Sequence, residues 1–321
     1  MKKLSLISLL SIPLPLITIS CQEEKTNDEF TKKQIKEFYK NPSITKMLDF
    51  FTNNDNAKKN IYVSQQQNKS NSKFDELKYA FVYNPIFIAN ATHNNGDYNF
   101  LANKSKDIIK NTLSIDWYWT LNNINKFDYN FNPYGDRYRS FAEEQEWFQE
   151  IKEKFNSLII NIKNNNPQQL VKVPIKEIEK LKSKNIYKEK EAWYLIFDDN
   201  KAIKIWKYLE DDKPKLQILP DLLIFKDIQN IKEQIIHIED SVFKKRLENF
   251  NNNYESSKED AELEDEPFDE EAFLNSRIDK IYMEFQGIYK YNENFVDVLR
   301  EINKDELKIY RFSMRFINEK N

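Results

Sequence analysis

One short stretch of the sequence contains a residue whose type and position specify a covalent reaction. Cys21 is the only cysteine in the chain, and it follows Ser20 at the end of an apolar run that covers residues 4–19. In bacterial lipoprotein precursors a thiol in this position is joined to diacylglycerol, and the preceding segment is then cut away. The residue therefore points to lipid attachment, because no second thiol is present to form a disulfide or to share a metal.

The residues Ile17 to Cys21 resemble a lipobox of the looser kind found in mollicutes, with serine where most bacteria have glycine or alanine. We therefore expect residues 1–20 to be a lipoprotein signal peptide and Cys21 to carry acyl chains such as palmitate. Residues 21–30 would be a tether between the lipid and the folded body. The alternative is an ordinary secretory signal, because threonine and serine at positions −3 and −1 also fit its cleavage site.

The composition is that of a charged body held at a membrane surface. Charged residues make up 31% of the sequence, and no second apolar run reaches the roughly 18 residues that a membrane span needs. The expected location is the extracellular face of the cell membrane, with membrane lipid bound through Cys21. The net charge of −3 and the pI of 5.8 do not fit a nucleic-acid-binding protein, which would need a clustered basic face and a high pI. Acidic residues concentrate at 255–271, with ten carboxylates against Lys258.

The rest of the sequence lacks the patterns of known catalytic and metal sites. Its three glycines lie far apart, which excludes the glycine-rich loops that hold nucleotide phosphates. Its two histidines are too distant in sequence for a usual zinc spacing. A Ser-His-Asp triad would need one of them, but His237 lies among isoleucines, where a structural role is expected, and His93 lies in a polar loop. We therefore expect no enzymatic activity, no metal and no cofactor.

Residues 115–148 are unusually rich in aromatic side chains. Eleven of these 34 residues are aromatic, which is about a third, whereas the whole chain is 14% aromatic. The three consecutive rings of Trp117, Tyr118 and Trp119 cannot share one face of a helix, because each residue turns the helix by about 100°. One interpretation is an aromatic core between adjacent elements, since large rings bury much area. The other is a contact surface for a partner. Its candidate residues are Tyr118, Trp119, Tyr129, Tyr134, Arg137 and Tyr138.

A family resemblance rests on two of these segments, Ile115 to Trp119 and Phe127 to Asp136, together with the lipobox before them. They resemble the mycoplasma surface lipoproteins called aromatic motif, or aromatic cluster, membrane proteins. The resemblance implies a mollicute surface lipoprotein without an established activity. It supplies no catalytic residue, and Cys21 is the only functional position that it transfers.

The periodicity of apolar residues predicts a mostly helical chain. Residues 104–125 place Ile109, Leu113 and Trp117 on one stripe of a helix. Residues 127–131 alternate aromatic and polar side chains, which predicts an extended segment with one apolar face. Further helices are predicted over residues 28–53, 140–163, 174–181, 228–250 and 273–317.

Three apolar runs separated by polar turns within residues 191–226 predict an antiparallel β-meander, and Pro220 indicates that the third strand bends or lies at an edge. The expected fold class is α+β, a predominantly helical body with a small three-stranded antiparallel β-meander. We expect an ectodomain over residues 31–251. An acidic flexible insert would follow at 252–270, and C-terminal helices at 271–321 would pack on the ectodomain.

These features favour a non-catalytic binding module that contacts a host or bacterial surface protein through its aromatic-rich region. A solute-binding lipoprotein of a transporter is the first alternative, but it requires two lobes around a cleft, and the order of elements lacks alternating βα units. A surface hydrolase is the second alternative, and the sequence contains no motif for it.

Overall fold

The computed structural model describes residues 38–69, 71–83, 96–134, 139–153, 155, 157–277 and 285–317. The expected signal peptide and tether, Cys21 and His93 lie outside these residues. Among the helices in the described ranges, none combines the length and the apolar composition needed to cross a membrane.

Helices lie on both faces of a central sheet. On strand β4, Trp193 packs against Phe50 of helix α1, with ring centroids 5.9 Å apart, while the neighbouring Tyr194 bonds to Glu239 of helix α9. Successive side chains on a strand point to opposite faces, so α1 and α9 cover opposite sides. The helices are α1 (Pro42–Phe51), α2 (Asn56–Gln67), α3 (Ser72–Tyr83), α4 (Gly96–Ser114), α5 (Trp117–Asn122), α6 (Arg139–Glu143), α7 (Phe148–Ile151), α8 (Glu179–Lys182), α9 (Ile231–Leu263), α10 (Glu270–Ser276) and α11 (Phe285–Ile302).

Within the described residues, the sheet has seven antiparallel strands in the order β2-β1-β7-β6-β5-β4-β3. The expectation of a small three-stranded meander in a predominantly helical body is therefore wrong. The predicted meander corresponds to β4, β5 and β6, which are three of these seven strands. The strands are β1 (Phe127–Phe131), β2 (Ile159–Asn161), β3 (Gln169–Pro174), β4 (Tyr187–Phe197), β5 (Lys201–Glu210), β6 (Lys213–Phe225) and β7 (Ile309–Ile317).

Strand β7 lies where the end of the C-terminal helical region was predicted. The strand was missed because its pairing partners lie far away in the sequence. It forms ladders with β1 on one side and β6 on the other. Its side chains alternate as a strand requires, with Phe312 and Met314 on one face and Arg311 and Ser313 on the other. All four are buried. In a surface strand the polar side chains would face solvent, but here Arg311 and Ser313 lie in the interior.

Strand β2 replaces part of a predicted helix, and strand β3 ends at Pro174, where another helix was expected to begin. Ile159–Asn161 pairs with β1, and the helices described within residues 140–163 are the short α6 and α7, which end before it. Gln169–Pro174 pairs with β4, where Val171 and Val173 are buried on one face. Pro174 ends this strand, and the short helix α8 begins only at Glu179.

Strand β6 is irregularly paired around Pro220, and it is not the edge strand that the proline allowed, because it lies between β7 and β5. Its register against β5 shifts between Ile203 and Ile205, and its ladder with β7 covers only the five residues from Asp221 to Phe225. Proline has no N–H to donate to a ladder and is found at bulges when it lies inside a sheet. The strand therefore pairs with β5 along most of its length, whereas its ladder with β7 begins only after the proline.

Helix α9 continues to Leu263, so residues 252–263 of the expected acidic flexible insert are helical. The physical reason is a second small core, in which Phe250 and Tyr254 of α9 pack against Phe268 and Phe273. Ile178 and Leu181, beside and within α8, belong to the same core. The acidic side chains of this segment face solvent, while its few rings hold the helix and α10 together. The exposed acidic residues are Glu255, Glu259, Asp260, Glu262, Glu264, Asp265, Glu266, Asp269, Glu270 and Glu271.

The tight turn between β5 and β6 uses aspartate where many hairpins use glycine. Asp211 and Asp212 have φ angles of 50° and 56°, and they form a two-residue loop between the paired residues Glu210 and Lys213. Two positive φ angles define a type I′ turn, in which Asn-Gly and Asp-Gly are the favoured pairs. A chain with three glycines meets the same requirement with aspartate, which tolerates this backbone region better than most residues.

We predict that Asp212→Gly stabilises the protein by about 0.5–1 kcal/mol, because glycine adopts the required φ without a Cβ penalty. Asp212→Ala should destabilise it, since alanine lacks the local side-chain hydrogen bond that helps aspartate in this region. Urea denaturation of the two variants and the parent protein measures both effects. Equal stabilities of the glycine and alanine variants would contradict the prediction.

Candidate functional site

The aromatic cluster begins at a break between helices α4 and α5. The single helix predicted over residues 104–125 is interrupted at Ile115 and Asp116. The carboxylate of Asp116 is buried and lies 3.0 Å from Nζ of Lys69 and 3.1 Å from Nζ of Lys73. Nε2 of Gln66 also donates to it, at 3.2 Å. The break thus places a charged group inside the helical layer, where two lysines neutralise it.

The electrostatics of Asp116 show which effect dominates at this break. Burial acts to raise the pKa of its carboxyl, but the hydrogen bonds from Lys69 and Gln66 and the charge of Lys73 outweigh burial. The pKa therefore lies below its ordinary value, and the group is charged at neutral pH.

A hydrogen bond also connects the two helices across the break. The hydroxyl of Thr120 in α5 donates to the carbonyl of Thr112 in α4 at 2.7 Å.

The three consecutive rings of α5 point in different directions, and all three are buried. Trp117 packs against Phe51, with ring centroids 5.8 Å apart, whereas Trp119 packs against Phe74 at 5.1 Å. Tyr118 lies between them against other helical residues. Helices α1, α2 and α3 surround α5, so a ring finds an apolar neighbour on every side of this short helix.

Strand β1 and the turn after it extend the cluster onto the sheet. Phe127, Tyr129 and Phe131 are buried and alternate with half-buried polar residues, so the predicted extended segment is confirmed. Phe131 packs against Phe312 of β7, with ring centroids 5.2 Å apart. Tyr134 is buried beside a tryptophan of the segment before α7.

The candidate contact residues within the described ranges lie in the interior. Trp119 is 5% exposed, and Tyr118, Tyr129 and Tyr134 are 1% exposed or less. Arg137 and Tyr138 lie outside the described residues, as does the lipidation candidate Cys21. The burial of the four rings supports the interpretation of the cluster as an aromatic core. In this conformation they present no area to a partner, because neighbouring helices and strands cover them.

The cluster contains phenol groups with little tendency to ionise. Burial raises the pKa of Tyr118 and of Tyr134 to about 12. Burial raises the pKa of Tyr129 further, and the negative charge of Asp221 adds to this effect. A buried neutral phenol is a poor general base at neutral pH. In the described part of the chain, no group of three or more histidine, cysteine, aspartate or glutamate side chains could hold a metal ion.

The structure also contains a row of buried polar residues that the sequence analysis did not identify. Lys204 of β5 is buried and donates to Glu239 of α9 at 2.5 Å, and Tyr194 donates to the same carboxylate. Burial lowers the pKa of Lys204, while the charge of Glu239 acts to raise it. Next to them, Arg311 donates to Asp221 at 2.9 Å. The available signal was a lysine placed between Ile203 and Ile205 in the apolar middle of strand β5.

His237 is exposed on α9. It therefore lies outside the buried polar row. Its isoleucine neighbours had predicted a structural role, but its side chain faces solvent.

Comparison with known protein families gives a match over most of the chain. The model of the family described as Aromatic cluster surface protein matches residues 18–269, which is more than half of the chain. The matched region contains α5, strands β1 to β6 and helix α9. No curated protein and no solved structure matches the chain.

We predict that Trp119→Ala lowers the free energy of unfolding by about 3–5 kcal/mol, as does Trp117→Ala, because each removes a buried indole. Urea denaturation measures the loss. Ile115→Ala is the control within the same segment, since its side chain is 59% exposed and its replacement should change stability by no more than about 0.5 kcal/mol. A Trp119→Ala variant as stable as the control would show that this ring is not part of the core.

We predict that the free energy of unfolding falls as the pH rises from about 10 to about 12. In that interval the tyrosines of the unfolded chain lose their protons, whereas Tyr118 and Tyr134 keep theirs in the folded state. The folded state then binds more protons, so each such tyrosine lowers stability by about 1.4 kcal/mol per pH unit. Denaturation at several alkaline pH values measures this slope, and Tyr118→Phe should reduce it. Native-state tyrosinate absorbance that rises fully near pH 10 would contradict the prediction.

Proposed function

Because the chain belongs to the aromatic cluster surface protein family, we propose that it is a lipid-anchored protein of a mollicute cell surface that binds another protein and catalyses no reaction. The proposal of a lipid anchor rests on the position of Cys21, the only cysteine, at the end of an apolar run. Two or three acyl chains on this residue would hold the body at the membrane, since one chain alone binds only marginally.

The packing supports a binding module rather than a solute-binding lipoprotein with two lobes. One continuous apolar core joins helices α1 to α5 to the sheet and to the first half of α9. The second core is small and lies at the far half of α9. Solute capture between lobes needs two bodies of comparable size around a cleft, whereas the described residues are organised around one main core.

The aromatic cluster would serve this function as a scaffold for exposed residues at its border. Ile115 directly precedes Asp116 at the break between α4 and α5, and it is 59% exposed. Its carbonyl accepts a hydrogen bond of 2.9 Å from Tyr62, whose ring packs on Trp117. The neighbouring Ile61 is equally exposed. We place the partner contact at Ile61 and Ile115, since exposed apolar side chains held on a rigid base favour protein contacts.

We predict that Cys21→Ser releases the protein from the membrane or leaves an uncleaved precursor. Detergent phase partitioning and the mass of the mature protein measure the two results in the producing bacterium. A serine variant that matures to the same size and enters the detergent phase like the parent protein would contradict the lipid anchor.

The binding proposal is tested by capture of proteins from host serum and from membranes of the producing bacterium with residues 22–321. Ile115→Asp should abolish capture of the partner without changing the melting temperature. Ile228→Asp is the matched control, because Ile228 is also 59% exposed but lies in the loop before α9. Equal capture by both variants would show that the border of the cluster is not the contact surface.

A further inference from the structure

The buried polar row crosses five neighbouring strands of the sheet. Tyr194 of β4 is paired with Lys204 of β5, and the β6 bulge brings Asp221 next in line. Asp221 is paired with Ser313 of β7, which in turn is paired with Asn130 of β1. Paired residues of antiparallel strands project from the same face with close Cβ atoms. The polar side chains therefore form one line across the middle of the sheet.

The charges in this row are balanced. Glu239 accepts hydrogen bonds from Lys204 and Tyr194 at one end. Arg311 donates to Oδ2 of Asp221 at 2.9 Å, and its guanidinium is fully buried. Each buried cation thus has a carboxylate partner, as low-dielectric surroundings require. The charged part of the row needs no further ion to be neutral.

Three oxygen atoms of the row remain buried without a hydrogen-bond partner in the part of the chain that the structure describes. They are Oδ1 of Asp221, Oγ of Ser313 and Oδ1 of Asn130. Ser313 is fully buried and lies between the other two along the strand pairing. Leaving such atoms unpaired is unfavourable, and buried waters typically form hydrogen bonds to polar groups that otherwise have no partner.

We propose that Asp221, Ser313 and Asn130 bind a water molecule inside the sheet. One water can donate to the carboxylate oxygen and to the amide oxygen, and it can accept from the serine hydroxyl. Three such bonds are typical of a buried water. A metal cation fits these residues less well, because Arg311 already neutralises Asp221 and hard cations take six or more oxygen ligands.

The proposal is tested by Ser313→Ala, since the sign of its effect depends on the water. If Oγ bonds to a bound water, removing it breaks a hydrogen bond and the melting temperature falls by about 2–4 °C. If Oγ is unpaired, replacing it with a methyl group removes a buried hydroxyl that has no partner, and the melting temperature rises. Ser105→Ala is the matched control, because Ser105 is also fully buried but donates to the carbonyl of Leu101 at 2.8 Å.

A second measurement on the unaltered full chain keeps the proposal testable if the variant fails to fold. Nuclear Overhauser transfer from long-lived water to the β protons of Ser313 is expected. Absence of that transfer would overturn the proposal, as would a rise in the melting temperature of Ser313→Ala. Stability that depends on sodium or potassium, compared with choline at equal ionic strength, would overturn it in favour of a bound cation.

Discussion

The aromatic layer depends on the neutralisation of one buried carboxylate. Asp116 lies where α4 ends and α5 begins, and Lys69 and Lys73 approach it from the segment between α2 and α3 and from α3 itself. Burying a carboxylate without such partners would be strongly unfavourable, so the break can persist only while those segments stay in place. The break gives α5 its own direction, and that direction lets its three rings enter different parts of the core. One ion cluster therefore connects the helix boundary, the helices around it and the packing of the cluster.

The conspicuous aromatic pattern of this chain is a property of its core, and this changes how the family signature is interpreted. Rings such as Trp119 and Tyr134 are covered by neighbouring elements, so their first contribution is buried area and shape. A protein with this signature can vary its exposed side chains, Ile115 among them, without altering the scaffold. Relatives that share the cluster are therefore expected to share the fold before they share a partner.

Sequence reasoning found the elements whose signals are local. Strand β1 showed its alternation, and β4 to β6 showed apolar runs divided by turns such as Asp211-Asp212. It missed β7 because the partners of that strand are far away in sequence and because Arg311 and Ser313 are polar yet buried. Lys204 was missed because its partner Glu239 also lies far away in the sequence, on helix α9 beyond β6. The aromatic segment was located correctly, but only packing could show that α1 to α3 enclose it.

The position of β7 has a consequence for the order of assembly. It lies between β1 and β6 and joins them in the described sheet, although about 180 residues separate it from β1 along the chain. Until residues 309–317 have been synthesised, the remaining strands form two separate sheets, β2-β1 and β6-β5-β4-β3, each with an unpaired edge. Such edges invite pairing with other chains, and contacts of this sequence separation form slowly. A nascent chain therefore depends on late closure of the sheet, and it is most prone to aggregate just before that strand emerges.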